Sequence, residues 1–284
     1  MELLTAKLPS AHRIHFISDF HEGTILQDSK GLAQTIDKIA KDPIGWCIVG
    51  GDLAEAIMID DKRYSQETLD SKKDVPLLQY RSIIEKLKPI KEKILAIMIG
   101  NHDWKIVSRV GNLVRDYVCH ELKVPYGTYS IKLTITGKKD KPMYKIFYTH
   151  GNGMLNSTAP DPVMRLANMR GMLKKKLQYK FADCVIMGTA HNHKLVTLKP
   201  IPVLYLTSDE QKIKQNYTGS DQWGEYIHPD HRFYFSSGSF LKLYSPGVSG
   251  YGELAGYDPH ELGYCIAHIY DGIVQTITRE ILHA

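Results

Sequence analysis

Five short apolar runs recur along the chain, and a polar signature follows each of them at once. The runs are rich in β-branched or aromatic residues and extend over Ile14 to Ser18, Cys47 to Gly50, Ile94 to Ile99, Lys145 to Thr149 and Cys184 to Gly188. Continuous apolar runs of this length are typical of buried strands. Segments with helical periodicity separate several of them, which predicts an α/β fold.

Four segments place their apolar residues on one face of a helix. They are Ser29 to Ala40, Leu77 to Leu87, Lys105 to Leu122 and Pro162 to Lys180. The outer face of the last segment is basic, and such faces are usually only solvated. The polar stretch from Asp60 to Asp74 indicates a surface loop.

Five further runs have the composition of strands. They are Tyr129 to Thr136, Leu195 to Lys199, Val203 to Thr207, Phe233 to Phe235 and Tyr264 to Tyr270. A turn joins the first of them to the run before His150, which begins at Tyr144, and the next two flank Pro200 and Pro202 as a predicted hairpin. Long loops rich in tyrosine and glycine, at Ser208 to Arg232 and Ser245 to Pro259, are candidate walls of a substrate site.

The composition is that of an ordinary globular protein, with 43% hydrophobic and 24% charged residues among 284. The polar signatures extend from residue 19 to residue 193 without a Pro/Gly/Ser-rich linker between them. We therefore expect a single domain over residues 1–284. Its chemistry would lie within about residues 13–194, and about residues 195–284 would add loops and closing strands.

Charge and cysteine usage restrict the surroundings of the protein. The formal net charge of +5 permits a polyanionic partner without the basic stripe of a dedicated nucleic-acid binder. The cysteines are widely separated, and Cys47 and Cys184 lie in predicted buried strands, which favours a reducing compartment. Because the first residues contain no long apolar stretch, we expect neither a signal peptide nor a membrane span, and a cytoplasmic location.

The five polar signatures supply potential metal ligands. They are Asp19-Phe20-His21, Gly51-Asp52, Gly100-Asn101-His102-Asp103, Thr149-His150 and His191-Asn192-His193. Each signature alone has a structural explanation, such as a turn or a helix N-cap. Residues just beyond the carboxyl ends of strands converge in α/β sheets, however, and alternate residues of an extended segment point the same way. The ordered set therefore predicts two adjacent metal ions.

The ligand types narrow the choice of metal. Asp52, which follows the flexible Gly50-Gly51 turn, is the candidate bridge, because one carboxylate can hold two cations roughly 3.5–4 Å apart. The signatures combine imidazole, carboxylate and amide groups and contain no thiolate. This mixture suits Mn, Fe, Zn or Co better than Ca, and we expect Mn to support activity.

These residues, in this order, resemble the calcineurin-like metallophosphoesterase superfamily, whose pattern is D-x-H, G-D, G-N-H-[DE], a lone His and H-x-H. The resemblance covers about residues 13–194 and implies two ligand sets that share Asp52. The first set is Asp19, His21, Asp52 and His193, and the second is Asp52, Asn101, His150 and His191. The chain departs from the pattern at Thr149 and Ala190, where glycine often precedes the ligand histidine.

The resemblance also implies a fold and a mechanism. The fold would have four layers, with two packed mixed β-sheets flanked by helices and a dinuclear metal site at the carboxyl ends of the strands. A hydroxide that bridges the metal ions would attack the phosphate ester. His102 would lie beside the leaving oxygen and either donate a proton or stabilise charge, and Asp103 would orient the ring of His102 as a carboxylate partner.

The leading functional hypothesis is a phosphodiesterase that acts on a nucleotide or a nucleic acid, because aromatic loops and a basic exterior suit bases and phosphates. A phosphomonoesterase, such as a nucleotidase or a protein phosphatase, would use the same metal core. A non-catalytic scaffold is the alternative from another class. The run from Ser237 to Leu241 resembles the C-terminal part of phosphoesterases from bacteria and their phages, which indicates no particular substrate.

Several other residues have two interpretations. His228 and His231 are the further histidines most expected to line the pocket. Lys105 and Arg109 could contact phosphate or form a solvated helix face, and the backbone amides of residues 236–239 could bind phosphate or form a tight strand exit. Tyr217, Trp223 and Tyr226 could stack on a nucleobase or pack their loop against the body of the protein.

Overall fold

The computed structural model describes residues 1–61, 64–219 and 221–282, and its strands form two sheets and a separate hairpin. The first sheet has the order β1 (Glu2–Lys7), β5 (Ser130–Thr136), β6 (Pro142–Thr149), β7 (Ile186–Thr189), β11 (Phe233–Ser237) and β8 (Leu195–Leu198). The second has the order β13 (Ile273–Ile281), β12 (Gly263–Tyr270), β2 (His12–Ile17), β3 (Gly45–Val49) and β4 (Ile94–Ile97). The hairpin pairs β9 (Leu204–Asp209) with β10 (Lys212–Tyr217). Both sheets contain parallel and antiparallel neighbours and are therefore mixed.

Long helices flank the sheets, and short helical segments occupy the connections. The α-helices are α1 (Ser29–Lys41), α2 (Pro76–Leu87), α3 (Asn101–Lys105), α4 (Val107–Val110), α5 (His120–Leu122), α6 (Pro162–Leu177) and α7 (Tyr251–Leu254). A π-helical turn spans Val114–Cys119, and 3₁₀ turns span Gln66–Thr68, Lys88–Lys93, Lys138–Asp140 and Pro229–His231. Within the described residues, no helix has both the length and the apolar composition that a membrane crossing requires.

The two sheets pack face to face around aromatic and aliphatic side chains. The ring centroid of Phe16 on β2 lies 4.2 Å from that of Phe235 on β11 and 5.5 Å from that of Tyr148 on β6. Side chains alternate between the two faces of a strand, so the neighbouring Ile17 points to the opposite face of the second sheet. Each central strand is therefore buried on both faces, as its apolar run predicted.

Helices cover the outer faces of both sheets. Ile36 of α1 and Ile83 of α2 belong to the core on the outer face of the second sheet. Leu173 and Leu177 of α6 pack on the outer face of the first sheet. The layers are therefore helix, sheet, sheet and helix, and the prediction of two packed mixed sheets flanked by helices is confirmed.

The sequence located the strands that precede the signatures, and they are β2, β3, β4, β6 and β7. It also located α1, α2 and α6. Helix α1 begins where Asp28 Oδ1 accepts a hydrogen bond from Gly31 N at 3.1 Å, and it buries Leu32, Ile36 and Ile39 at helical spacing. In these segments, local propensity and the face to be buried agree.

Two predicted elements are wrong. The segment from Lys105 to Leu122 is not one helix, because Gly111 has a φ of 81° and separates α4 from the π-helical turn. The predicted hairpin around Pro200 and Pro202 does not form either, since β8 pairs with β11 and β9 pairs with β10. Strands β1, β10 and β13 were not predicted, because their side chains are partly exposed and their runs are less apolar.

The surface loops are held by specific charge pairs. The predicted loop from Asp60 to Asp74 includes Lys62 and Arg63, which lie outside the described residues. Nearer its end, Lys73 pairs with the buried carboxylate of Glu22 at 2.6 Å. On the basic face of α6, Lys174 forms an ion pair with Asp230. This face therefore also contacts the loop before β11.

The buried side chain of His15 should make the free energy of unfolding depend on pH. Its side chain on β2 is buried, and burial outweighs the nearby Asp42 carboxylate and lowers the pKa of His15 to about 4. Below about pH 6.5 the unfolded chain binds a proton that the folded chain does not, so stability should fall as the pH drops from 6.5 towards 4. Relative to a His15→Gln variant, urea unfolding at pH 5 should reveal an extra loss of about 2 kcal/mol compared with pH 7. An identical pH dependence in both proteins would contradict this role.

Candidate metal centre

The five signatures meet at one edge of the packed sheets. Strands β2, β3 and β4 run parallel in the second sheet, and β6 and β7 run parallel in the first. The loops that follow β2 and β3 are connected directly: Asp19 N donates to Gly51 O at 2.9 Å, and His21 N donates to Asp52 O at 3.1 Å. Residues far apart in the sequence therefore share one small volume, as strand-end positions predict.

The first cluster of potential ligands consists of Asp19, His21 and His193, whose ligand atoms lie within 4.8 Å of one another. Asp19 Oδ1 is 3.6 Å from His193 Nδ1 and 4.0 Å from His21 Nε2. Asp52 Oδ2 is also 4.0 Å from His21 Nε2. This is the residue set that the sequence proposed for one metal ion.

The second cluster consists of Asp52, His150 and His191, and its ligand atoms also lie within 4.8 Å of one another. Asp52 Oδ2 is 3.4 Å from His150 Nε2, so the same oxygen faces both clusters. Asn101 Oδ1 lies 3.0 Å from His150 Nε2 and 2.6 Å from His191 Nδ1. The amide can present oxygen to a cation or, turned over, donate from Nδ2 to these rings and to Asp52.

The first cluster contains buried polar atoms that the described residues leave without hydrogen bonds. They are both carboxylate oxygens of Asp19, His21 Nε2 and His193 Nδ1. An unsatisfied buried polar atom is destabilising by about 1–3 kcal/mol. A cation at this position would satisfy all four atoms, and their mixed oxygen and nitrogen character fits Mn, Fe, Zn or Co. The residues therefore fit the metal centre that the signatures predict, and their role as ligands stays a prediction.

The pKa values of the clustered side chains are shifted by burial and by their charged neighbours. Burial raises the pKa of Asp19 to about 6. Burial acts to lower the pKa of His21 and of His150, but the neighbouring carboxylates outweigh it and raise both to about 9. Burial instead lowers the pKa of His191 to about 4 and keeps the pKa of His193 well below its usual value. Metal binding would therefore release protons from His21 and His150 rather than from His191 and His193.

Hydrogen bonds on the far side of the rings favour one tautomer of His21 and of His150, two of the predicted ligands. His21 Nδ1 lies 2.7 Å from Glu55 Oε2, and His150 Nδ1 lies 2.9 Å from Gly50 O. A proton held on each Nδ1 leaves the lone pair of Nε2 directed at the clusters. Glu55 was not identified from the sequence, although an acidic residue three positions after Asp52 in an otherwise apolar run was the available signal.

Replacing Glu55 with Gln should weaken metal binding by about 10–100-fold, the range typical of partners that orient ligand histidines. Competition with a chelator of known affinity measures this change. Glu67→Gln is the matched control, since Glu67 is exposed on a 3₁₀ turn. Equal metal affinities of the wild type and Glu55→Gln would contradict the orienting role.

Asp103 does not take the position that the sequence predicted for it. Its carboxylate accepts hydrogen bonds from Tyr80 Oη at 2.7 Å, Gly100 N at 3.0 Å and Leu53 N at 3.2 Å. His102 Nδ1 instead lies 2.7 Å from the backbone oxygen of Glu55. Asp103 therefore fastens the loops after β3 and β4 together, and a backbone carbonyl orients His102. The expected pairing of the two side chains is corrected accordingly.

The backbone at the site is unusual. Five predicted ligands have positive φ angles between 48° and 60°, a region that residues other than glycine rarely adopt. They are Asp19, His21, Asp52, His191 and His193. At Gly100 a Cβ atom would overlap Asp52 Oδ1, which explains the glycine in that signature. The turns that aim the ligands thus hold strained backbone at the site.

Beside the clusters lies a cavity of about 490 Å³. Its inner end includes Asp52, His102 and His191, and its outer wall includes Leu241 and Leu243 from the loop after β11. Pockets of this size hold small ligands. The later loops therefore contribute to the wall of the site.

Several residues predicted to approach the substrate lie elsewhere. His228 and His231 are near each other, with ring centroids 5.4 Å apart, and neither lines this cavity. Besides the histidines of the signatures, His260 lines it, and its ring stacks on that of His193 with centroids 5.5 Å apart. No periodic pattern surrounds His260 in the sequence, so only the folded loop reveals its position.

Contacts and exposure of the described residues bear on the remaining alternatives. Arg109 forms an ion pair with Asp60, and Lys105 pairs with Asp61 at 3.2 Å. The side chains of Ser236, Ser237 and Ser239 are buried, which favours the tight strand exit. Three aromatic residues are exposed and do not line the cavity, and they are Tyr217, Trp223 and Tyr226.

Two packed mixed sheets flanked by helices, with the five signatures at one edge, agree with the architecture that the resemblance to calcineurin-like metallophosphoesterases implied. No family model and no curated protein matches the chain. A structure of Vps29 from Chaetomium thermophilum has 11% sequence identity and a TM-score of 0.38, over 96% of this chain and 97% of that one. NAD nucleotidase (NadN) from Haemophilus influenzae has 11% identity and a TM-score of 0.40, over 96% of this chain and 50% of that one. Similarity at this level assigns no activity.

Proposed function

We propose that the chain is a metal-dependent phosphodiesterase that acts on a nucleotide-type substrate. The observation that supports it is the pair of ligand clusters beside the cavity, with Asp52 Oδ2 facing both of them. Two divalent cations, when bound there, would polarise phosphate oxygens and lower the pKa of coordinated water. The retained ligands favour an enzyme over a scaffold.

The chain's own residues would orient the ester and move a proton. His102 lines the cavity, and its ring centroid is 4.7 Å from that of His21. Its Nδ1 is hydrogen-bonded to Glu55 O, which orients the ring, and Nε2 would donate a proton to the leaving oxygen. No side-chain nucleophile is required by this arrangement.

The shape of the cavity favours a diester over a monoester. A diester has two groups to accommodate, and the cavity continues from the clusters to an apolar wall that includes Leu26, Leu241 and Leu243. Tyr257 on the same wall offers an aromatic surface for a base or a leaving group. A monoesterase would use the same clusters and would need only their immediate surroundings.

Hydrolysis of bis-p-nitrophenyl phosphate and of p-nitrophenyl phosphate, with added Mn²⁺, tests the proposal. We expect faster turnover of the diester and loss of turnover in chelator. Exclusive turnover of the monoester would overturn the diester assignment and favour the phosphomonoesterase. Metal analysis of protein purified without chelator tests the scaffold alternative, since a scaffold would neither contain nor acquire stoichiometric metal.

A further inference from the structure

Two lysines in the cavity differ from the other half-buried lysines that the structure describes. Lys73, Lys132 and Lys145 each pair with a carboxylate at 2.6–2.8 Å, and Lys93 and Lys176 donate to backbone oxygens. Lys194 and Lys242 line the cavity, and among the described residues neither side chain forms an ion pair or a hydrogen bond. Their charges are therefore available to a ligand in the cavity.

The backbone of both lysines is fixed by hydrogen bonds to neighbouring residues. Lys194 follows His193 directly, and its backbone nitrogen donates to Asn192 Oδ1 at 3.1 Å. Lys242 N donates to Leu26 O at 2.9 Å, which joins the loop after β11 to the loop after β2. The two ammonium groups thus come from different loops that meet at one cavity. A binding group built in this way loses little backbone freedom when a ligand binds.

The cavity also contains acidic groups, which limit what the lysines can do. Glu55 is hydrogen-bonded to His21, and Asp52 belongs to the clusters. Asp258, next to Tyr257, also lines the cavity. Because Asp52 and Glu55 are engaged with the clusters and with His21, Asp258 is the one further lining carboxylate that opposes the two lysines, and this balance suits an anion.

We propose that Lys194 and Lys242 form a second anion subsite, which binds a terminal phosphate of the substrate other than the phosphate ester that is cleaved. This inference rests on the proposed function, because it names the substrate class of the same site. Two ammonium groups match the double charge of a terminal phosphate better than the single charge of a carboxylate. The substrate would then be a nucleotide ester that carries an additional terminal phosphate.

Equilibrium binding to the Mn²⁺-loaded protein tests the subsite without requiring turnover. The probes are thymidine 3′,5′-bisphosphate and thymidine 5′-monophosphate, which differ by one phosphate, and titration calorimetry gives both affinities. We expect the bisphosphate to bind at least about 10-fold more tightly, since hydrogen bonds to charged groups are the strong ones. The Lys194→Met/Lys242→Met double variant should lose this preference. Asp258→Asn should increase it, because it removes the opposing charge.

Controls separate the subsite from folding and from catalysis. Lys212→Met, on the exposed hairpin, should bind both probes like the wild type. Thermal unfolding and metal content check that the double variant is folded and loaded. A 3′-carboxymethyl analogue of the monophosphate distinguishes phosphate from carboxylate recognition, and equal preference for the two groups would overturn the phosphate assignment.

The outcomes for the subsite and for the proposed function are distinct. A preference that persists in the folded, metal-loaded double variant, or no preference in the wild type, would overturn the subsite. Wild-type protein that binds the bisphosphate through these lysines but hydrolyses no phosphodiester would support the subsite and contradict the proposed function.

Discussion

Asp52→Asn should lose most of the hydrolytic activity together with part of the bound metal. Asp52 Oδ2 faces both clusters, 4.0 Å from His21 Nε2 and 3.4 Å from His150 Nε2, so the change removes one negative charge from both positions. Asparagine tolerates the positive φ at this position and keeps an oxygen for the hydrogen bond from His102 N. The fold should therefore survive.

We expect metal content to fall below two ions per chain, and turnover to fall by at least about 10²–10³-fold, the loss typical of removing one electrostatic stabiliser of a transition state. Elemental analysis and a phosphodiester assay measure the two effects. Asp60→Asn is the matched control, because that carboxylate pairs with Arg109 on the surface. Full metal content and full activity in Asp52→Asn would contradict a bridging role.

The second large effect is expected at His102, whose replacement should reduce activity without reducing metal content. His102→Gln removes the group proposed to donate a proton and leaves Asp19, Asp52 and the other predicted ligands intact. Turnover should fall by about 10²–10⁴-fold, the usual contribution of a general acid. Metal content should match that of the wild type.

The leaving group provides a further check on His102. A substrate whose leaving group is a good anion needs little protonation, so the variant should be impaired less with p-nitrophenyl esters than with alkyl esters. Equal impairment with both leaving groups would contradict proton donation. His120→Gln, at an exposed position on α5, is the control for loss of an imidazole.

The sequence predicted the central part of the fold because local and tertiary preferences agree there. Strands β2, β3 and β6 are largely buried and end in apolar runs, and that pattern has few other structural solutions. The hairpin of β9 and β10 was missed because Pro200 and Pro202 indicated a turn between β8 and β9. The turn of the hairpin instead lies between β9 and β10. The break at Gly111 was missed because the flanking valines continue a helical period across it.

For the site, the sequence predicted which residues converge and missed those that support them. The predicted ligands follow strands, so their approach is a consequence of parallel neighbours. The sequence missed the hydrogen bond of Glu55 to His21 and gave Asp103 a role beside His102 that it does not have. Both errors arise because hydrogen-bond partners depend on side-chain directions, which residue spacing does not specify. His260 reaches the cavity from a loop near β12, where no periodicity exists to indicate it.

At the predicted ligands with positive φ, the residue types needed for activity are not those that would make the folded chain most stable. At His191 or Asp19, glycine would relieve a strain of about 1 kcal/mol or more per residue, and at Asp19 it would also remove a buried charge. Populations of variants selected only for yield should therefore accumulate changes at these positions. Populations selected for phosphodiester cleavage should retain them, so comparing the two enrichments would map the site without any purified protein.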